Sequence, residues 1–437
     1  MSLTRALCSG ASSLQAHQKK MDVVSNNIAN INTVGYKSSR ALFSDEFSQI
    51  HSFGRSATSE NSSGGTNPLQ YGLGVQVASV TLDMKQGNMD TTDRPLDLAL
   101  QGDGFFVYSM NGNQLYSRAG AISRDTEGNF VDSSSGAFLQ GYNVQVDANG
   151  NIVKNENGIN SLSSAVSNIK ISSDTISSPS QTQNVSLIGN LSSSNAVDST
   201  RETSINIYDN QGGVHSLKLT FTKTANSNEY SLATQIDGTA FGTATTVTFN
   251  SDGTLNSPLD FTINAADLNT ALGTQSFDQT TPKNITVKLG ETGNISNSIT
   301  NYAGLNTATL NTQDGYEAGN LKDLAVDTEG RVWGSFTNGR SELLGQVVVA
   351  KFANSAGLTK EGSNFYSISP NSGLANIGTA GEIFPSTAIQ NNTLEMSNVD
   401  LTKQFTDMIT TQRGFEAASR VITVSDSMLG EINMLKR

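Results

Sequence analysis

Few residues in this chain could do chemistry. It holds three histidines and a single cysteine, Cys8. That set is too small for a His/Cys metal site. One cysteine cannot close an intramolecular disulfide, so pairing says nothing about compartment. Cys8 lies in a helical run and reads as a small apolar residue, the usual role of a free cysteine. His17 has no ligand of a second type one helical turn away, so it reads as a seam or interface residue. A Ser-His-Asp hydrolase is allowed by count, but the G-x-S-x-G elbow is absent. Asp83, Asp97 and Asp103 are spread along strands and turns and form no spaced carboxylate pair for acid–base work. Four fragments resemble pieces of a calcium loop: DTEGNFV (125–131), DANGNIV (147–153), DNQGGVH (209–215) and DTEGRVW (327–333). None carries the distal Glu of the twelve-residue set. Asp starting a turn and Gly taking positive φ make each a hairpin turn instead. The expectation is no catalytic residue, no metal and no cofactor.

Composition narrows the partners. The 437 residues include 27 Lys+Arg and 39 Asp+Glu, a net charge of −12. Such a chain repels nucleic acid and anionic lipid, so no nucleic-acid partner is expected. Charged residues are only 15% of the total, against about 25% in ordinary soluble domains. Ser, Thr, Asn and Gly take their place, which suits a β-rich surface that other proteins can approach. No apolar run reaches the roughly 18 residues of a membrane helix, so no membrane insertion is expected. The first residues, MSLTRALCSGASSLQAHQKKMDVV, lack the apolar core of a secretory signal. Export would use a route without a cleaved signal.

The elements follow from periodicity. Leu3, Leu7, Gly10, Leu14, His17, Met21, Val24, Ile28 and Ile31 recur at spacings of four and three, a coiled-coil-type seam. From Asn398 to Leu435 a second helix carries a stripe of Leu401, Phe405, Met408, Ile409, Phe415, Ala418, Ile422, Leu429, Ile432 and Leu435. Gln412, Ser419 and Asp426 blur its register. Each fully buried apolar side chain contributes about 1.5–3 kcal/mol, while isolated helices are marginal. The two ends are therefore expected to order by associating with each other and with neighbouring copies. Between them the pattern is β, as in VQVASVTLDM (75–84), GFFVYSM (104–110), HSLKLTFTK (215–223), NITVKLG (284–290) and LLGQVVVAKF (343–352). The fold class read from this is multi-domain and mainly β, with terminal helices pairing as a coiled coil. Expected boundaries are 1–31 and 398–437 for the helices, and 32–73 and 367–397 for connecting segments. The β body takes 74–149 and 316–366, and an inserted outer β domain takes 150–315.

The segment SNNIANINTVGYK (25–37) is the most specific motif. Its asparagines crowd a helix end and Gly35 permits a left-handed turn. Asn26, Asn27, Ile28, Ala29, Asn30, Thr33, Gly35, Tyr36 and Lys37 match the signature N-N-I-A-N-x-x-T-x-G-[YF]-K, so the chain resembles the flagellar rod and hook family of axial proteins. Residues 74–108, 116–142 and 394–437 resemble further family segments. The likeness covers roughly 1–145 and 318–437 and leaves the middle unmatched. The added domain near 150–315 points to the hook members. Membership implies a non-enzymatic subunit that self-assembles into a flexible tube and passes motor torque from rod to filament. It also implies a place in the hook and basal body, outside the cytoplasm. Implied partners are other copies, a hook capping protein, a distal rod protein, a hook-associated junction protein and the flagellar type III export apparatus. The alternatives are a distal rod or hook-associated axial protein or, from another class, a secreted β-rich enzyme or adhesin.

Overall fold

The computed structural model describes residues 2–56, 65–146, 152–155, 158–278, 283–291, 295–381 and 383–435. It divides into two compact units. One holds 1–172, 324–333 and 343–437; the other holds 173–323 and 334–342.

The first unit contains both terminal helices, Ser2–Ala29 and Leu401–Leu435. They run antiparallel. Asn27 meets Gln404, Lys20 meets Asp407, His17 meets Gly414 and Gly10 meets Ile422. The N-terminal seam falls on the protected side. Val24 is buried, and Leu7, Leu14, Met21, Ile28 and Ile31 are half-buried. The side chains of Leu3 and Leu435 lie outside the described residues. After the first helix comes a two-stranded ribbon. Strand β1 (Ser39–Asp45) pairs antiparallel with β4 (Val75–Leu82), and β2 (Ser48–Ser52) pairs with β3 (Leu69–Gly72). The stretch 32–73, expected as a connecting segment, carries strands β1 to β3. Residues 57–64 of that stretch lie outside the described residues. The N-terminal helix lies along the ribbon. Ser12 Oγ accepts the Val75 N–H at 3.2 Å, and the Arg5 guanidinium sits 5.7 Å from the Tyr71 ring centre.

Strand β5 (Met89–Thr91) pairs with Thr393–Glu395, and β6 (Leu98–Gln101) with Ala388–Asn391. The two arms of the chain thus enter the body side by side. There β7 (Phe105–Met110) and β8 (Asn113–Ser117) form a hairpin, with β7 also flanked by Phe138–Asn143 and Ser341–Lys351. Inward residues of these strands, including Phe105, Tyr116 and Val348, pack with Phe352, Leu358 and Tyr366 into a core. The Asp-Gly units close turns as expected. Asp125 Oδ1 accepts the N–H groups of Glu127 and Asn129 at 2.9 and 2.7 Å, and Asp327 Oδ1 does the same for Glu329 and Arg331. Most of DANGNIV (147–153) lies outside the described residues.

The second unit is built from two five-stranded sheets. One is an antiparallel meander: Thr200–Tyr208, Val214–Lys223, Glu229–Ile236, Thr239–Phe249 and Leu255–Ser257. The other centres on Asn184–Asn190. Strict alternation along Val214–Lys223 puts Leu217, Leu219, Phe221 and Lys223 inward. The three apolar ones join Val185, Leu187, Ile285 and Val287 in one core.

Candidate assembly site

The segment 25–37 is a junction as well as a helix stop. Asn27 is buried, and its amide is fully used. It donates to the Ser39 carbonyl at 2.8 Å and to Gln404 Oε1 at 3.2 Å. It accepts the Ser39 N–H at 2.9 Å and the Tyr36 hydroxyl at 3.2 Å. One side chain thus ties the end of the first helix, the first ribbon strand and the start of the last helix. Only an amide supplies both donors and acceptors in that geometry. Asn30 Nδ2 donates to the Asn26 carbonyl at 2.9 Å, and Thr33 Oγ1 donates to Asn30 Oδ1 at 3.2 Å, so these residues cap the helix end. Gly35 has φ +69°, and a Cβ there would sit 2.5 Å from the Ala119 nitrogen. Its N–H reaches the Glu395 carbonyl at 2.7 Å.

Beneath the junction lies a buried charge cluster. Lys37 Nζ donates to Glu395 Oε1 and to the Lys85 carbonyl, each at 2.7 Å. Arg118 Nη1 stands 3.4 Å from Glu395 Oε2, and Nη2 donates to the Gly102 carbonyl at 2.8 Å. The Gly87 N–H also donates to Glu395 Oε1 at 2.8 Å. Burial pulls Lys37 below its ordinary pKa, opposed by Glu395; burial likewise lowers Arg118. Lys37 carries the last position of the motif. Glu395 and Arg118 escaped sequence reasoning. The available signal was parity: Glu395 occupies an inward position of the alternating strand Thr393–Glu395, where an unpaired carboxylate would be costly. Asn398 completes the tie, accepting the Ser38 N–H and donating to the Asp83 carbonyl, both at 2.8 Å.

The helix pair is packed through small and polar groups on its C-terminal side. Gln404, Thr411, Ala418 and Ser425 are buried at intervals of seven. A Cβ on Gly414 would sit 2.7 Å from the His17 ring, and one on Gly10 would sit 2.9 Å from Ile422 Cγ1. His17 Nδ1 is buried and makes no hydrogen bond, with the Phe43 ring edge-on at 5.7 Å. Burial and the neighbouring Lys20 lower its pKa. Several large apolar residues of the C-terminal stripe point elsewhere. Phe405 is 50% exposed and Ile409 is 51% exposed, and Leu401, Phe415 and Ile432 are exposed as well. Met408, Ile422 and Leu429 are half-buried. Val421, Val424 and Met428 extend the uncovered apolar surface on the later turns. A stripe of that kind leaves a large apolar surface uncovered on the helix.

The three aspartates singled out in the sequence are not brought together. Asp97 is buried and accepts the Thr92 hydroxyl at 2.9 Å, Asp103 is exposed, and Asp83 accepts the Lys85 N–H at 3.2 Å; each has a separate local role. Among the described residues no group of three His, Cys, Asp or Glu could hold a metal ion, and no helix is long and apolar enough to cross a membrane.

Family models match along the chain. They are the flagella basal body rod protein model at 7–37, the flagellar hook protein FlgE/F/G D1 domain at 99–187, the FlaE D2 domain at 175–316, and the FlgEFG C-terminal model at 390–435. The flagellar hook protein FlgE of Treponema pallidum is 36% identical over the whole of both chains. Its namesake in Borreliella burgdorferi is 34% identical over 99% of this chain and 100% of the relative, and that of Escherichia coli is 32% identical with the same coverage.

Proposed function

The chain belongs to the flagellar hook protein family as a structural subunit of the bacterial flagellar hook, and from that premise we propose that its terminal helix pair is the contact that builds the hook polymer. The carrying observation is the division of labour on the last helix. Its most buried positions are small or polar, Ile422 packs beside Gly10, and Phe405, Ile409, Phe415 and Ile432 stay largely in solvent. Copies of the same helix pair would cover them, forming the inner wall of a tube, with the β-rich remainder of each chain outside it. The Asn27 and Lys37–Glu395 ties would hold the pair at a fixed angle to the body and so pass load from one to the other. The β surfaces are rich in Ser, Thr and Asn. Wet contacts between them would exchange as the tube bends, giving a flexible, torque-transmitting joint. Export through the flagellar type III apparatus without a cleaved signal, and contacts with a capping protein, the distal rod and a hook-associated protein, complete the reading. The layers would correspond to 1–31 with 398–437, 74–149 with 316–366, and 150–315, joined through 32–73 and 367–397.

The test is Phe405→Asp with Ile409→Asp. Both side chains are half-exposed, so the monomer's melting should hardly move. Burying the rest of each is worth about 1 kcal/mol in a polymer, and a buried carboxylate opposes it further. Sedimentable tubes should disappear at concentrations where the parent chain assembles. Tubes forming at the parent concentration would refute the proposal, and straight tubes would favour a rod subunit.

A further inference from the structure

Where the two terminal helices part from the β1–β4 ribbon, a cavity of about 510 Å³ opens. Lys20, Arg40, Lys85 and Lys403 line it against only Asp83 and Asp407. The two carboxylates are already engaged. Asp407 faces Lys20 at 3.7 Å, and Asp83 accepts the Lys85 N–H at 3.2 Å. Arg40, Lys85 and Lys403 are exposed, and their side chains make no ion pair among the described residues. Lys403 and Gln404 belong to the first turn of the C-terminal helix, so the positive end of that helix dipole faces the same cavity. Asp400 outside it accepts the Lys403 N–H at 3.2 Å.

This local excess is out of character for the chain. The cavity carries four cations and two carboxylates, 4 − 2 = +2. The whole chain carries −12, so everything else sums to −14. A concave site lined by like charge focuses its field into the opening, where a matching charge gains most. We infer that the cavity receives carboxylate side chains of a second copy of this chain, and that it is a charge-reading contact of the polymer separate from the apolar helix faces. In a polymer that grows head to tail, each copy offers a different patch to the next. A basic cavity on an otherwise acidic chain then finds opposite charge on its neighbour. The inference rests on the polymer reading above.

The experiment uses the full-length chain and measures the critical concentration for sedimentable polymer across salt. R40E/K403E exchanges two attractions for two repulsions at exposed positions. Its critical concentration should be at least tenfold above the parent at 10 mM NaCl. The ratio should shrink toward unity at 1 M, as the screening length falls from about 30 Å to about 3 Å. R40Q/K403Q should show a smaller shift, and R40K/K403R should match the parent. An equal critical concentration for R40E/K403E at low salt overturns the inference. So does a ratio that salt leaves unchanged, or a shift in R40K/K403R equal to that of the reversal. If R40E/K403E melts differently as a monomer, the glutamine pair decides by the same criteria. Failure of the parent chain to sediment would instead defeat the polymer reading.

Discussion

Replacing Glu395 with Gln should damage the first unit more than replacing Lys37 with Met, although both break the same 2.7 Å contact. Glu395 is the one anion between Lys37 and Arg118, and all three side chains are nearly or fully buried. Glu395→Gln leaves two like charges in low dielectric, with the Lys85, Leu100 and Gly102 carbonyls as neutral acceptors and, among the described residues, no carboxylate in contact with either. Removing one partner of a buried pair costs about 3–5 kcal/mol. Lys37→Met leaves Arg118 facing Glu395, a balanced pair, and Gly87 still donates to the carboxylate. What remains is a lost hydrogen bond and an idle carbonyl, about 1–3 kcal/mol. At about 2–4 °C per kcal/mol for domains of 150–250 residues, the larger cost lowers the melting point by roughly 6–10 °C at the lower end of that scale. Trp333 is the single tryptophan, lies in the first unit, and donates its indole N–H to Asp327 at 3.1 Å. Its fluorescence during thermal unfolding therefore follows the affected unit. An equal or larger loss in Lys37→Met would refute the charge accounting. A shift confined to the second unit would refute the placement of the cluster.

Two further outcomes follow. Gly414→Val drives two methyl groups toward the His17 ring, where even a Cβ would stand 2.7 Å away. It should cost about 1–3 kcal/mol by overpacking, read as faster amide exchange in the two terminal helices with the β units unchanged; unaltered exchange would show that the helices do not approach there. His17 has its pKa lowered from an ordinary 6.5 by burial and by Lys20, so the unfolded chain binds its proton more readily than the folded one. The stabilisation is complete above about pH 6.5 and falls as pH drops through and below that value. His17→Gln should flatten this slope in the helical circular dichroism signal, and a slope equal to the parent's would assign the titration elsewhere.

The helices and strands were legible because periodicity is a local property. The four–three seam of residues 3–31 and the alternation in HSLKLTFTK and GFFVYSM each report which face meets a core, and the observed elements Ser2–Ala29, Val214–Lys223 and Phe105–Met110 follow them. The Asp-Gly turns were legible for the same reason: Asp125 and Asp327 bond to backbone within four residues of themselves. Register on the last helix was not. Counting apolar residues favours Phe405 and Ile409, yet Gln404 and Thr411 face the partner helix. Which face turns inward depends on what stands opposite: Asn27 calls for the hydrogen-bonding Gln404, His17 leaves room only for Gly414, and Gly10 makes room for Ile422. The junction was hidden by separation along the chain. Lys37 and Glu395 lie 358 residues apart, and Asn27 and Gln404 lie 377 apart, so no window along the sequence contains both members of either pair. Strand pairing of β5 with Thr393–Glu395 and of β6 with Ala388–Asn391, together with the antiparallel helix pair, brings the two arms together. Composition and local pattern therefore determined which segments are helix, strand or turn. The tertiary structure decided which side chains meet, because burial of a charge or an amide is settled by a partner that sequence distance does not reveal.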